Sequence, residues 1–308
     1  MLNFTMSLPT EVYFGRDMIN NLPEYIRKHG GNRILLAYGG GSIKKNGIYE
    51  KITSLLDQNG IFYKELSGIK PNPRVSSVRE GIKIIRENDL DFILAAGGGS
   101  VIDACKGIAA GWTYDGDPWD FYLRKTSLEK KPLPVGVILT LAATGSETNW
   151  GSVISDDITE RKLPFRHEML KPKFAVLDPV YTFSVPKYHT AAGLVDIMAH
   201  VFEQYFSPTQ DAYLSDRLAE AVMKTIICYA PKVMEDPEDY EARANILFAG
   251  TLALNQILSY GKTTDWATHM IEHEVSAVYD ISHGAGLAVL FPNWMKYVLN
   301  EENQPKFV

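Results

Sequence analysis

Through the first half of the chain, short apolar runs stopped by glycine alternate with amphipathic stretches. Arg33–Tyr38 runs apolar into Gly39-Gly40-Gly41, and Asp91–Ala96 runs apolar into Gly97-Gly98-Gly99. Pro134–Leu139 is a third run of this kind. Continuous apolar runs of this length, bounded by turn residues, predict strands buried on both faces of a sheet. Between them, Asn46–Asn59 places Ile48, Ile52, Leu55 and Leu56 at helical spacing, and Val78–Asn88 does the same with Ile82, Ile84 and Ile85. Strands that alternate with helices imply crossover connections and a mostly parallel sheet. The opening reads differently: Asn3–Leu8 and Glu11–Phe14 flank Pro9-Thr10, which predicts a small hairpin at the sheet edge. Beyond Ser184-Val185-Pro186 the period becomes helical throughout, with windows at Ala191–Tyr205, Asp211–Tyr229, Tyr240–Ser259 and Thr264–Tyr279. The expected organisation is an α/β domain over residues 1–185 and an all-α domain over 186–308.

Composition narrows the class. The chain has 308 residues, enough for about two domains at roughly 150 residues each. Hydrophobic residues make up 45% and charged residues 22%, which excludes a disordered or fibrous chain. A net charge of −6 argues against nucleic acid as a partner. Cys105 and Cys228 are too few for a disulfide framework. With no signal-peptide pattern and no apolar run long enough for a membrane span, a cytoplasmic protein with no membrane partner is expected. The final apolar stretch, Leu287–Leu299, has little after it to pack against, so the helical domain is expected to be truncated at its C-terminus.

Two features carry chemistry. The motif Gly-Gly-Gly-Ser occurs at 39–42 and again at 97–100, each time directly after a predicted strand. Glycines at a strand's carboxyl end let a phosphate approach the backbone, and a following helix offers free N–H groups. A tight turn with a Ser100/Asp103 capping box is the plainer alternative, but two copies in equivalent places favour a nucleotide. Thr140–Asn149, rich in hydroxyls, forms a further polar turn after the third strand. The second feature is histidine: five of seven fall at His189, His200, His269, His273 and His283. Asp196 and His200 stand four apart on one helical face, and His269 and His273 repeat that spacing. Three imidazoles and a carboxylate suit a divalent metal such as Fe²⁺ or Zn²⁺. Asp196 and His200 lie among apolar neighbours, and burying each unpartnered would cost about 2 kcal/mol or more. The basic stretch Arg161–His167 reads as a solvated loop.

In this order the motifs resemble the iron-dependent (type III) alcohol dehydrogenase family, especially its NADPH-dependent butanol dehydrogenase branch. They are Tyr38-Gly-Gly-Gly-Ser-Ile-Lys-Lys-Asn-Gly47, Pro71-Asn-Pro73, Gly97-Gly-Gly-Ser-x-x-Asp103-x-x-Lys106, Thr144-Gly-Ser-Glu147, Ala191-Ala-Gly-x-x-Asp196-x-x-x-His200, and His269-x-x-x-His273 followed by His283-Gly-x-Gly286. The resemblance implies a dinucleotide-binding α/β domain and an all-α metal-binding domain of dehydroquinate synthase-like architecture. It implies metal ligands at Asp196, His200, His269 and His283, with His273 a non-ligand that relays a proton. Gly97, Gly98, Gly99 and Ser100 match the pyrophosphate cradle; Asn72, Asp103, Thr140, Thr144 and Lys162 match cofactor-contacting positions. Gly39, Gly40, Gly41 and Ser42, with no acidic residue before Glu50, predict NADP(H) over NAD(H). The expected activity is hydride transfer between that cofactor and a small primary alcohol or aldehyde such as butanol or butyraldehyde, in a homodimer paired through the edge hairpin. A polyol (glycerol-type) dehydrogenase on the same fold and an inactive nucleotide-binding fragment are the alternatives. Leu141-Ala142-Ala143 departs from the Thr-Ala-Gly of many relatives.

Overall fold

The structure, a computed structural model, describes residues 1–307 and divides into two compact units. One comprises Pro9–Leu141 and Ser146–Ser184; the other comprises Met1–Leu8, Ala142–Gly145 and the chain from Val185 onward. The short segments 1–8 and 142–145 therefore group with the helices and not with the sheet unit.

The first unit contains strands β1 (Glu11–Phe14), β2 (Arg33–Tyr38), β3 (Phe62–Leu66), β4 (Phe92–Gly97), β5 (Val135–Leu139), β6 (Gly151–Asp156), β7 (Arg161–Arg166) and β8 (Phe174–Leu177). Helices α1 (Leu22–Lys28), α2 (Ser42–Lys45), α3 (Ile48–Gln58), α4 (Val75–Asn88), α5 (Gly99–Gly111) and α6 (Trp119–Tyr122) connect them. Six strands form one parallel sheet in the order β1-β8-β5-β4-β2-β3. Every residue of β4 and β5 is buried, which is why these segments show no polar alternation. The amphipathic α3 turns Ile48, Ile52 and Leu56 onto the core made by Ile34, Leu36, Phe92 and Leu94.

The order of strands has a functional consequence. β2 leads through α2 and α3 to β3 on one side, whereas its neighbour β4 leads through α5 and α6 to β5 on the other. Their connections leave in opposite directions, so the carboxyl ends of this adjacent pair form a switch point, where open parallel sheets open a crevice for ligands. Tyr38 is in register with Ala96, so both Gly-Gly-Gly-Ser motifs emerge at this point.

Two expectations are corrected. Residues 3–8 form no strand, so there is no edge hairpin; β1 instead pairs in parallel with β8, Glu11 opposite Phe174. The Thr10 hydroxyl donates to the Pro172 carbonyl at 2.7 Å and leads the chain into that register. Upstream, the Leu2 N–H donates to the Gly261 carbonyl and the Phe4 ring stacks on Tyr260 at 5.3 Å. Arg161–Arg166 is not a loop but strand β7, antiparallel to β6. Its alternation is obscured because Leu163, Pro164 and Phe165 are only half-buried and basic residues flank them.

The second unit is built from α7 (Lys187–Tyr205), α8 (Tyr213–Glu235), α9 (Tyr240–Leu254), α10 (Ala267–Tyr279) and α11 (His283–Val298). Pro186, directly before α7, sets the helix start where no N–H is needed. Leu194, Ile197 and Val201 of α7 pack with Val222, Ile226, Ile246 and Ala249 of α8 and α9. Among the described residues no helix is long and apolar enough to cross a membrane.

Candidate active site

At the sheet's switch point the backbone is bare and several donors point outward. α5 begins at Gly99, and the N–H groups of its first turn precede any intrahelical acceptor. A Cβ on Gly97 would fall 2.6 Å from Val101 Cγ2, so only glycine lets β4 turn so sharply into α5. Gly40 and Gly41 face open space, and Ser42 opens α2. The Gly39 carbonyl accepts from the Gly68 N–H at 2.9 Å, which holds the loop after β3 against the first glycine motif. Asn72, buried and in the left-handed conformation at φ 50°, lies in that loop. The Thr140 N–H donates to the Gly97 carbonyl at 3.1 Å. The structure thus brings Gly39–Ser42, Asn72, Gly97–Ser100 and Thr140 to the carboxyl ends of four adjacent strands.

The remaining sequence-predicted cofactor positions are placed differently. Asp103 is turned into the protein: one carboxylate oxygen accepts from the Ser146 hydroxyl at 2.5 Å and the other from the Val153 N–H at 2.9 Å. Lys162 is buried on β7, opposite Ser155. Thr144 belongs to the helical unit, beside Gly145, whose φ of 59° and closeness to the Gly250 carbonyl both demand glycine. Sequence reasoning also missed Glu65. It accepts hydroxyl donors from Tyr38 and Tyr49, while the Lys44 ammonium lies 5.2 and 4.4 Å from those two rings.

The helical unit gathers the histidines. Asp196 and His200 sit one turn apart on α7, His269 lies in the first turn of α10, and His283 is the first residue of α11. Asp196 Oδ1 is 3.7 Å from His200 Nε2 and also 3.7 Å from His283 Nε2. The His200 and His269 rings stack with centroids 4.8 Å apart, and His269 stands 5.3 Å from His283. Donor atoms on a tetrahedral ion with bonds of about 2.1 Å lie roughly 3.4 Å apart, and the two Asp196–imidazole separations of 3.7 Å are close to that. Gly284 makes this assembly possible, because a Cβ there would overlap the Ala192 carbonyl of α7. His273, one turn beyond His269, has its ring centroid 5.5 Å from that of His283.

Comparison with known proteins places the chain in a family. The family description "Iron-containing alcohol dehydrogenase" matches residues 9–179, and "Fe-containing alcohol dehydrogenase family, C-terminal" matches residues 190–307. The chain belongs to the iron-containing alcohol dehydrogenase family. NADH-dependent butanol dehydrogenase B of Clostridium acetobutylicum is 52% identical over 308 residues, covering 100% of this chain and 78% of that protein. NADPH-dependent aldehyde reductase YqhD of Escherichia coli is 42% identical, covering 95% and 75% respectively. The crystal structure of NADH-dependent butanol dehydrogenase A from Thermotoga maritima superimposes with a TM-score of 0.96 at 42% identity, covering 100% of this chain and 77% of that one. The chain is accordingly an alcohol dehydrogenase or aldehyde reductase that uses a nicotinamide cofactor, and its family implies a bound metal.

The donor types suit a dication of the kind this family implies. Ligand atoms of Asp196, His200 and His269 lie within 4.8 Å of one another, as do those of Glu272, His273 and His283, and Asp196 links the two trios through His283. Three buried carboxylates, Asp196, Glu203 and Glu272, share this region with the imidazoles of His200, His269, His273 and His283. Burial pushes the Glu203 carboxyl up to about 8, against the backbone N–H groups of His269 and Thr268, which lower it. The sequence did not single out Glu203 or Glu272. Glu203 lies three residues after His200, and Glu272 three after His269, so each occupies an adjacent turn of a ligand-bearing helix.

Proposed function

We propose that Asp196, His200, His269 and His283 hold one divalent cation, Fe²⁺ or Zn²⁺, and that the chain reduces small aldehydes such as butyraldehyde reversibly to primary alcohols. The convergence of these four donors from α7, α10 and α11 carries the reading. When bound, such a cation supplies Lewis acidity toward the substrate oxygen, and the nicotinamide supplies or takes the hydride. The chain's own residues bind and orient. Backbone N–H groups of Gly99 and Ser100 would receive the pyrophosphate, with Asn72, Thr140 and Lys162 as further cofactor contacts of the same unit. Asp103 would act from behind, holding Ser146 and Val153. His273 would hold and release the proton exchanged with the alcohol oxygen through an imidazole nitrogen. Replacing His273 by Ala should therefore leave the metal content unchanged and lower the rate by about 10²- to 10⁴-fold. Loss of metal from that variant would make His273 a ligand instead.

On the cofactor, the glycine loop with Ser42, Lys44 and Lys45 supports acceptance of a 2′-phosphate, hence NADP(H). The opposite preference, NAD(H), is favoured by Glu65, whose carboxylate lies against Tyr38 and Tyr49 within the reach of Lys44. Steady-state kcat/KM for butyraldehyde with NADPH and with NADH, before and after chelation and metal replacement, tests both points. A higher value with NADH would end the NADP(H) reading, and a rate indifferent to chelation would end the metal reading.

A dimer remains our reading of the oligomer, now motivated by β1 itself. It stands at the end of the sheet, and β8 is its partner among the described residues. An edge strand offers backbone groups to a symmetric copy. Light scattering at micromolar concentration should give twice the monomer mass, and a monomeric mass would count against it.

A further inference from the structure

The same carboxylate–imidazole pair is built twice on different helices. Glu203 of α7 reaches His269 of α10, and Glu272 of α10 reaches His283 of α11. Both glutamates have 0% exposure, which side chains of this type rarely tolerate without a specific task. One oxygen of Glu203 accepts the backbone N–H of His269 at 3.0 Å and also meets the ring Nδ1 of the same residue at 2.7 Å. An oxygen already taking an N–H proton acts as an acceptor, so the imidazole proton belongs on Nδ1. In a neutral ring that puts the lone pair on Nε2. In the second pair, one Glu272 oxygen meets His283 Nδ1 while the other accepts from the Ser276 hydroxyl. With Nδ1 so engaged, His283 turns Nε2 toward Asp196 Oδ1, 3.7 Å away.

We propose that Glu203 and Glu272 are positioning residues for the metal: each fixes the tautomer and ring plane of one histidine, so that both present Nε2 to a single ion. This rests on the reading of Asp196, His200, His269 and His283 as its ligands. The arrangement also raises the basicity of both imidazoles, because a carboxylate hydrogen-bonded to Nδ1–H pushes charge onto Nε2. A purely structural role predicts something else. Glu203 also accepts an N–H in the first turn of α10, and Glu272 lies close to Gly286 of α11, so either could serve only to join helices.

Glu203→Gln and Glu272→Gln separate the two roles, since glutamine keeps an acceptor oxygen and nearly the same shape. The metal-free wild-type chain and both variants are titrated with Zn²⁺ alone against a chromophoric chelator. Tm is then read with and without the ion. We expect each variant to bind Zn²⁺ about 10- to 100-fold more weakly. We also expect the metal-free Tm to be equal to or above that of the wild type, with a smaller rise when the ion is added. Wild-type affinity in both variants overturns the proposal. So does a fall in Tm that is the same with and without the ion, because it marks a helix contact and nothing more. A wild-type chain that takes up no Zn²⁺ or Fe²⁺ overturns the metal reading itself. Because the two glutamates sit on different helices, failure of one variant to fold leaves the other to decide.

Discussion

His200→Ala should remove the metal and with it nearly all activity. His200 offers Nε2 at 3.7 Å from Asp196 Oδ1, and its ring stacks on His269. Alanine deletes one of four donors and leaves Asp196 a buried carboxylate with less to balance it. Stabilising the developing charge on oxygen is worth several kcal/mol to a Lewis-acid enzyme. A loss of about 4 kcal/mol corresponds to roughly a 10³-fold lower rate. The helix itself should survive, because α7 packs through Leu194, Ile197 and Val201 on its other turns. Metal analysis of the purified variant, its rate of NAD(P)H oxidation and its far-UV circular dichroism together check this. A variant with full metal content and an unchanged rate would remove His200 from the ligand set. The contrast with His273→Ala is the sharper test, since that change should cost rate alone.

The parts of this protein that local pattern could reveal are those whose cause is local. Glycine stops after β2 and β4 follow from a chain that must turn sharply at a buried strand's end, and Gly97 against Val101 shows the steric reason. The four-residue spacing of Asp196 and His200 is a property of one helix, so it survives in the sequence without any tertiary information. Features set by distant partners were not legible. β1 reads as half of a hairpin because its neighbours in sequence are apolar, yet it pairs with β8, more than 160 residues away. Glu203 looks like any polar residue on an amphipathic helix, since its partner His269 lies 66 residues on. Asp103 fits a capping box by spacing, but its oxygens are taken by Ser146 and Val153, 43 and 50 residues downstream. Lys106 is the strongest case: the apolar run around it, Ala104–Gly111, marks a buried helix, but the oxygens that make burial of its ammonium tolerable lie 40 to 45 residues downstream.

Lys106→Met should destabilise the sheet unit more than an ordinary core substitution. The ammonium has 0% exposure and lies 2.9 Å from each of four oxygens: the Ser146 hydroxyl, the Asn149 carbonyl and side-chain oxygen, and the Gly151 carbonyl. Burial pulls its pKa down to about 8, while Asp103 and Glu147 oppose that fall, and four acceptor oxygens around Nζ suit the protonated ammonium with its three donors. Asp103 completes the relay: Ser146 Oγ accepts from Lys106 and donates to the Asp103 carboxylate, whose own pKa is raised by burial and lowered by Lys106. Methionine fills the space but takes the donors from four oxygens and the counter-charge from Asp103. Lys106 and Asp103 interact through Ser146 and not by direct contact. The loss should therefore approach the cost typical of breaking a buried ion pair, about 3–5 kcal/mol, where the other charge is left uncompensated. That loss should appear as a lower urea midpoint at pH 7, followed by far-UV circular dichroism. The second variant, Lys106→Met with Asp103→Asn, removes the stranded charge and keeps an acceptor for Ser146 or Val153. If the two residues are coupled, it should recover part of the loss, with an interaction energy of about 0.5–3 kcal/mol. Stability of Lys106→Met within about 0.5 kcal/mol of the wild type would reduce the four contacts to surface-like value. Strict additivity in the double variant would mean that Lys106 holds the Ser146–Gly151 segment through its oxygens alone, with no part played by the charge on Asp103.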